Sequence, residues 1–210
     1  MKKSNSVKML TLFALFIAIE LMMLMTPLGY LRIGPLSATL LHIPVILAAI
    51  FLGTKYGALL GLLFGLSSVW NATMQPTITS FVFSPFVTIG GISGSWTSLI
   101  IAIVPRVLLG VFAGLLFQFF QKKMNCSLAA GLSAGIATLL HTIMVLSLIV
   151  IFFGSEYSSA LGVAQNALIM MLGYTVITNG VMELVLASVV SAALTKAIPM
   201  YSKQPEKAKA

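Results

Sequence analysis

Apolar residues run almost without interruption from Val7 to Ile198, broken at short intervals by glycine, proline, polar or charged residues. A continuous run of this length leaves a chain one way to satisfy its backbone, because only helices and closed barrels cross a hydrocarbon layer. A barrel needs apolar and polar residues to alternate along each strand, and that alternation is missing. The chain is 8% charged, whereas a soluble domain carries roughly 25%, so it cannot cover a water-facing surface. A helix crosses the hydrocarbon in about 20 residues. The 210 residues therefore predict an all-α integral membrane bundle of about six transmembrane helices, with no room for a separate soluble domain. Residues 1–198 are expected to form this single membrane domain and 199–210 a polar cytoplasmic tail.

Turn and charge signals divide the run. Helix 1 is predicted from Val7 to Thr26, ending at Pro27 and Gly29. Its basic start resembles a signal peptide, but no small-residue cleavage site precedes Pro27, so it is expected to stay as the first span. A loop with Arg32 and Pro35 leads to helix 2, Ala38 to Leu52, and Gly53-Thr54-Lys55 turns into helix 3, which reaches Trp70. An uncharged stretch follows from Asn71 to Ser95. Helix 4 runs from Trp96 to Phe120, helix 5 from Leu128 to Phe153 and helix 6 from Gln165 to Thr195, with a loop around Glu156 between the last two.

Basic residues gather at cytoplasmic loops. With the N-terminus inside, ten of them (Lys2, Lys3, Lys8, Lys55, Lys122, Lys123, Lys196, Lys203, Lys207 and Lys209) fall on one side against Arg32 alone on the other. Both termini are thus expected in the cytoplasm, of a bacterial cell membrane given the resemblance below. The positive net charge of +8 follows from loop residues at the ends of apolar runs, so nucleic acid is not an expected partner; membrane lipid is. The stretch from Asn71 to Ser95 becomes an extracellular loop between helices 3 and 4. It contains Ser80-Phe81-Val82-Phe83-Ser84-Pro85-Phe86, too apolar to remain in water, so it is read as a plug or a lid over a ligand site.

Ionisable groups at membrane depth are expensive and mark functional sites. Arg106, in helix 4, either holds an anionic ligand through its planar fork or pairs with Glu20 or Glu183. Asn179 and Glu183 lie four residues apart on one helix face, where an amide and a carboxylate can bind ligand hydroxyl and amide groups. His141 in helix 5, and Asn71, Ser80, Phe83 and Trp96 around the outer loop, complete the candidate substrate site; His42 is equally compatible with a solvated position. Small residues recur every four positions at Ala14/Ala18, Gly57/Gly61/Gly65, Gly110/Gly114 and Gly131/Gly135, a spacing that lets helices approach closely.

Catalysis is not expected. Gly131-Leu132-Ser133-Ala134-Gly135 matches a hydrolase nucleophile pattern, but His141 lies about 12 Å along the same helix and no other base is within reach of Ser133. No His or acidic pair has metal-ligand spacing, no cofactor motif is present and no Gly-Lys-Ser/Thr loop could hold ATP.

Six helices, Ala14-x-x-x-Ala18, Ile33-Gly34-Pro35, His42-Ile43-Pro44-Val45, Leu52-Gly53-x-Lys55-Tyr56-Gly57-Ala58, Gly61-Leu62-Leu63-Phe64-Gly65-Leu66, the outer-loop string and Val104-Pro105-Arg106 together resemble the substrate-binding S components of energy-coupling factor (ECF) vitamin transporters, pantothenate type. The resemblance implies a vitamin-binding membrane subunit that works with a transmembrane coupling subunit and two ATP-binding cassette ATPases and topples to deliver its substrate. It implies that Ala14 and Ala18 dock the coupling subunit. Folate, a pyrimidine precursor of thiamine, or a self-sufficient secondary transporter or channel are the competing readings.

Overall fold

The computed structural model describes residues 2–26, 29–31 and 38–198. The expected turn at Pro27, the loop residues Arg32 to Pro35 and the tail from residue 199 lie outside them. The described chain is helical: α1 (Lys2–Leu24), α2 (His42–Leu52), α3 (Thr54–Met74), α4 (Trp96–Phe120), α5 (Cys126–Leu161), α6 (Gln165–Thr175) and α7 (Val181–Ala197). A π turn at Val176–Gly180 joins α6 to α7, so that Gln165–Ala197 forms one apolar rod. Five helices, with this rod counted as one, are long and apolar enough to cross a membrane, and α2 is a shorter apolar helix.

The short α2 is the centre of the bundle. At 11 residues it spans only about 16 Å, roughly half the hydrocarbon thickness. Residues Pro44 through Leu52 are all buried, as expected of a helix that is apolar on every side. Its start differs from the expected Ala38. Ala38–Thr39 instead pairs antiparallel with Tyr30–Leu31, and helix begins three residues later with Pro44 in its first turn, where a missing N–H has no helical acceptor to lose. Gly53, at φ 103°, then turns the chain tightly into α3; a side chain there would be strained.

Glycines bring α3 and α4 into backbone contact. A Cβ on Gly61 would overlap the carbonyl of Arg106, one on Gly110 the carbonyl of Gly57, and one on Gly65 the backbone of Ile103. On the other side of the bundle, Gly131 and Gly135 face Ser188 of α7. The four-residue glycine spacings therefore serve packing inside the bundle. Ala14 and Ala18 do not: both are exposed on α1, whose other face packs Phe13, Phe16 and Ile17 against the α2–α3 core.

The segment from Gln75 to Ser95 is ordered. It holds a 3-10 turn at Ser80–Val82 and a hairpin pairing Thr88–Ile89 with Ile92–Ser93, closed by Gly90 and Gly91 at positive φ. Phe81 and Val82 are fully buried in a second core with Ile101, Ile149, Phe153 and Tyr157. Ser98 Oγ fastens the turn by donating to the Phe81 carbonyl at 2.7 Å, and Thr73 Oγ1 meets Ser84 Oγ at 2.7 Å. The expected loop around Glu156 is instead helix: α5 bends at Phe153, where φ/ψ leave the helical region, and continues to Leu161. Phe153 stacks edge-on against Phe81 at 5.7 Å, so burial of the aromatic pair accompanies the bend.

Gly61→Ala is expected to destabilise the protein by about 1–3 kcal/mol through overpacking. Gly173→Ala, where a Cβ meets nothing within 4 Å, should be neutral or gain up to about 1 kcal/mol of helix propensity. Thermal unfolding of the two variants in detergent measures the difference.

Candidate functional site

The α3–α4 contact fixes where Arg106 lies. Its backbone is held against Gly61, and Phe64, three residues along α3, presents its ring to the guanidinium with Cζ 5.5 Å from the centroid. Phe83, just beyond the outer 3-10 turn, approaches to 5.2 Å. Arg106 Nη1 donates to the carbonyl of Ile101 at 2.7 Å. The side chain is 6% exposed. A guanidinium set against two aromatic rings and bonded to a carbonyl is restrained in orientation, and its planar fork matches carboxylate geometry.

Arg106 forms part of the wall of a cavity of about 80 Å³, room for several water-sized groups. The polar wall is made by Thr39, His141, Thr142, Thr175, Asn179 and Glu183, and the apolar wall by Phe83, Val145 and Leu146. Asn179 and Gly180 come from the π turn, a wide turn that recurs at functional sites. His141 is 5% exposed, its Nε2 has no hydrogen-bond partner among the described residues, and its ring centroid lies 6.2 Å from that of Phe64. The cavity thus offers one cation, one carboxylate, an imidazole, an amide and three threonine hydroxyls beside a small apolar surface; Thr142 and Thr175 donate to the carbonyls of Thr138 and Met171, which leaves their oxygens as acceptors.

Glu183 also ties the wall together. Its Oε1 accepts the backbone N–H of Thr39 at 2.7 Å, joining α7 to the segment that precedes α2. The Thr39 carbonyl in turn takes the Nδ1–H of His42 at 2.6 Å; a carbonyl has no proton to give, so that ring nitrogen carries the hydrogen. His42 is 1% exposed, not solvated, and stands behind the cavity wall rather than in it.

Five of the eight residues singled out from the sequence line this cavity: Arg106, Phe83, His141, Asn179 and Glu183. The other three sit elsewhere. Asn71 is half-buried near the end of α3. Ser80 is buried, and its hydroxyl accepts the Thr77 N–H at 2.8 Å. Trp96, at the first turn of α4, is 77% exposed. Thr39, Thr142 and Thr175 were missed. A signal for one existed: Thr175, Asn179 and Glu183 recur every four residues, a polar row along one face of an otherwise apolar helix. Glu20 is 1% exposed and away from the cavity, with neither carboxyl oxygen bonded among the described residues. Ser133 spends its hydroxyl on the Ala129 carbonyl at 2.7 Å, inside its own helix, as a packing residue does.

Comparison with known proteins supplies the family. A family model described as the substrate-specific component of ECF transporters matches residues 8–195. The Lactococcus lactis subsp. cremoris protein named pantothenic acid transporter PanT is 39% identical over 201 residues, covering 94% of this chain and 96% of its own. The Leuconostoc mesenteroides subsp. mesenteroides protein named pantothenate transporter PanT is 29% identical over 201 residues, covering 91% and 92%. These are components of transporters, not enzymes. Five membrane-length helices, a buried arginine on a polar cavity and a match along nearly the whole chain lead to one assignment: the protein belongs to the substrate-specific components of energy-coupling factor transporters.

Proposed function

We propose that this chain is the pantothenate-binding subunit of an ATP-driven vitamin importer. The observation that carries the reading is Arg106 on a cavity whose other groups match the rest of that molecule. Pantothenate has one carboxylate, two hydroxyls, an amide and a gem-dimethyl group. Arg106 pairs with the carboxylate; Asn179, His141, Glu183 and the threonines take the hydroxyls and the amide; Phe83, Val145 and Leu146 cover the methyls. The names of the two relatives support the same substrate. Folate, with two carboxylates and a flat pterin, asks for a second cation and a longer aromatic slot than this wall supplies. The segment that carries Phe83 is the lid of this site.

In this reading the chain is a single membrane domain of six spans, the short, buried α2 counted as the second, with both termini cytoplasmic and the lid outside, as the distribution of lysines supports. The energy source lies elsewhere: a transmembrane coupling subunit and two ATP-binding cassette ATPases drive a toppling of the loaded bundle. The exposed Ala14 and Ala18 are the small-residue face of α1 that meets the coupling subunit. Asn71, Ser80 and Trp96, off the closed cavity, come to the ligand only through the lid's movement.

Calorimetry with pantothenate tests the substrate. Arg106→Ala is expected to weaken binding by about a hundredfold, the loss of a buried charge-assisted pair; an unchanged affinity would remove Arg106 from the site. Ala14→Leu with Ala18→Leu should leave the affinity unchanged and abolish ATP-driven uptake in vesicles that hold the complete complex. Normal uptake by that double variant overturns the docking assignment.

A further inference from the structure

The bond between Arg106 and Ile101 has a cause one residue away. In an α-helix the carbonyl of residue 101 accepts the N–H of residue 105. Residue 105 is proline, which has no N–H and whose ring pushes against the carbonyl four residues back. The Ile101 carbonyl is therefore deprived of its helical donor and displaced from it, inside a helix at membrane depth where an unmet carbonyl is costly. The side chain that meets it is that of the next residue: Arg106 Nη1 at 2.7 Å.

We propose that Pro105 is a positioning residue, whose missing N–H frees the Ile101 carbonyl to hold the Arg106 guanidinium in the orientation that receives the ligand's carboxylate. The bond uses one of the fork's five donors and sets the plane of the rest. Phe64 and Phe83, at 5.5 Å and 5.2 Å, complete the seat. With an N–H at position 105 the carbonyl turns back to its helical partner, and the guanidinium loses the acceptor that aims it. The Pro105-Arg106 pair is then one functional unit: the proline makes the acceptor and the arginine uses it. This deepens the pantothenate reading and rests on it for the ligand.

Pro105→Ala tests the proposal, because alanine restores the N–H with little change in bulk. Pantothenate affinity by calorimetry should fall about tenfold or more, the scale of one hydrogen bond to a charged group. The melting temperature in detergent should hold or rise, since proline inside a helix is destabilising. In an Arg106→Ala background the same substitution should change the affinity no further. Unchanged affinity in Pro105→Ala, or an equal loss in both backgrounds, overturns the proposal. A second measurement needs neither the variant at 105 nor a ligand. A 13C=O label at Ile101 should show an amide I band that moves to higher frequency when Arg106 is replaced by alanine, and a stationary band contradicts the bond. If the wild-type chain fails to bind pantothenate, the substrate reading falls; the role of Pro105 is then decided by the same band in Pro105→Ala, where adding Arg106→Ala should no longer move it, and an undiminished shift overturns the proposal.

Discussion

A guanidinium at membrane depth is the constraint on which the rest of this structure depends. Arg106 remains charged at any physiological pH, and a charge in hydrocarbon must be surrounded by polar or polarisable groups. The protein supplies them from three directions: the Ile101 carbonyl from its own helix, Phe64 from α3 and Phe83 from the outer segment. Each depends on a separate architectural feature. Phe64 is in reach because Gly61 lets α3 touch the backbone of α4. Phe83 is in reach because Ser98 and Thr73 fasten the outer turn to the ends of α4 and α3. A residue that is expensive to bury thus organises helices, glycines and loop around one cavity.

The same economy explains α2. A helix of 11 residues with almost every side chain buried contributes little to the lipid surface and forms the packing centre instead. Starting late, at His42, leaves Thr39 extended, and in that conformation its N–H reaches Glu183 and its carbonyl reaches His42. The wall of the cavity is built in part from backbone that a longer α2 would have consumed in its own hydrogen bonds. Opposite, the π turn widens the rod enough to bring Asn179 and Gly180 to the same space.

Much of this was legible in the sequence, because lipid imposes simple rules. Helix 4 was bounded correctly by Ser95 and Trp96 at one end and Lys122-Lys123 at the other, and the glycine rows named the close contacts. Arg106 was conspicuous as a cation in an apolar run, and Asn179 with Glu183 as a polar pair at helical spacing. What periodicity could not show was which side of α5 and α6 faces inward. Nearly every face of those helices is apolar, so Thr142 and Thr175 carried no contrast against lipid-facing neighbours. Nor could it separate a loop from helix around Glu156, where small polar residues read as turn but a bend at Phe153 keeps the chain helical. Trp96, beside the loop, is 77% exposed at the first turn of α4, the usual place of an interfacial tryptophan, and lies off the closed cavity.

We propose an acidic ligand's carboxylate on Arg106, oriented by the carbonyl that Pro105 frees, with hydroxyl and amide partners from α5, the π turn and α7. The most direct test is a distance. Arg32 and Arg106 are the chain's arginines, so an Arg32→Lys protein grown on guanidinium-15N arginine carries one labelled cation. Solid-state NMR on that protein in lipid, loaded with carboxyl-13C pantothenate, should show dipolar recoupling at about 4 Å or less between the carboxylate carbon and the guanidinium nitrogens, the reach of a bidentate pair. Bound pantothenate without that coupling would contradict the account.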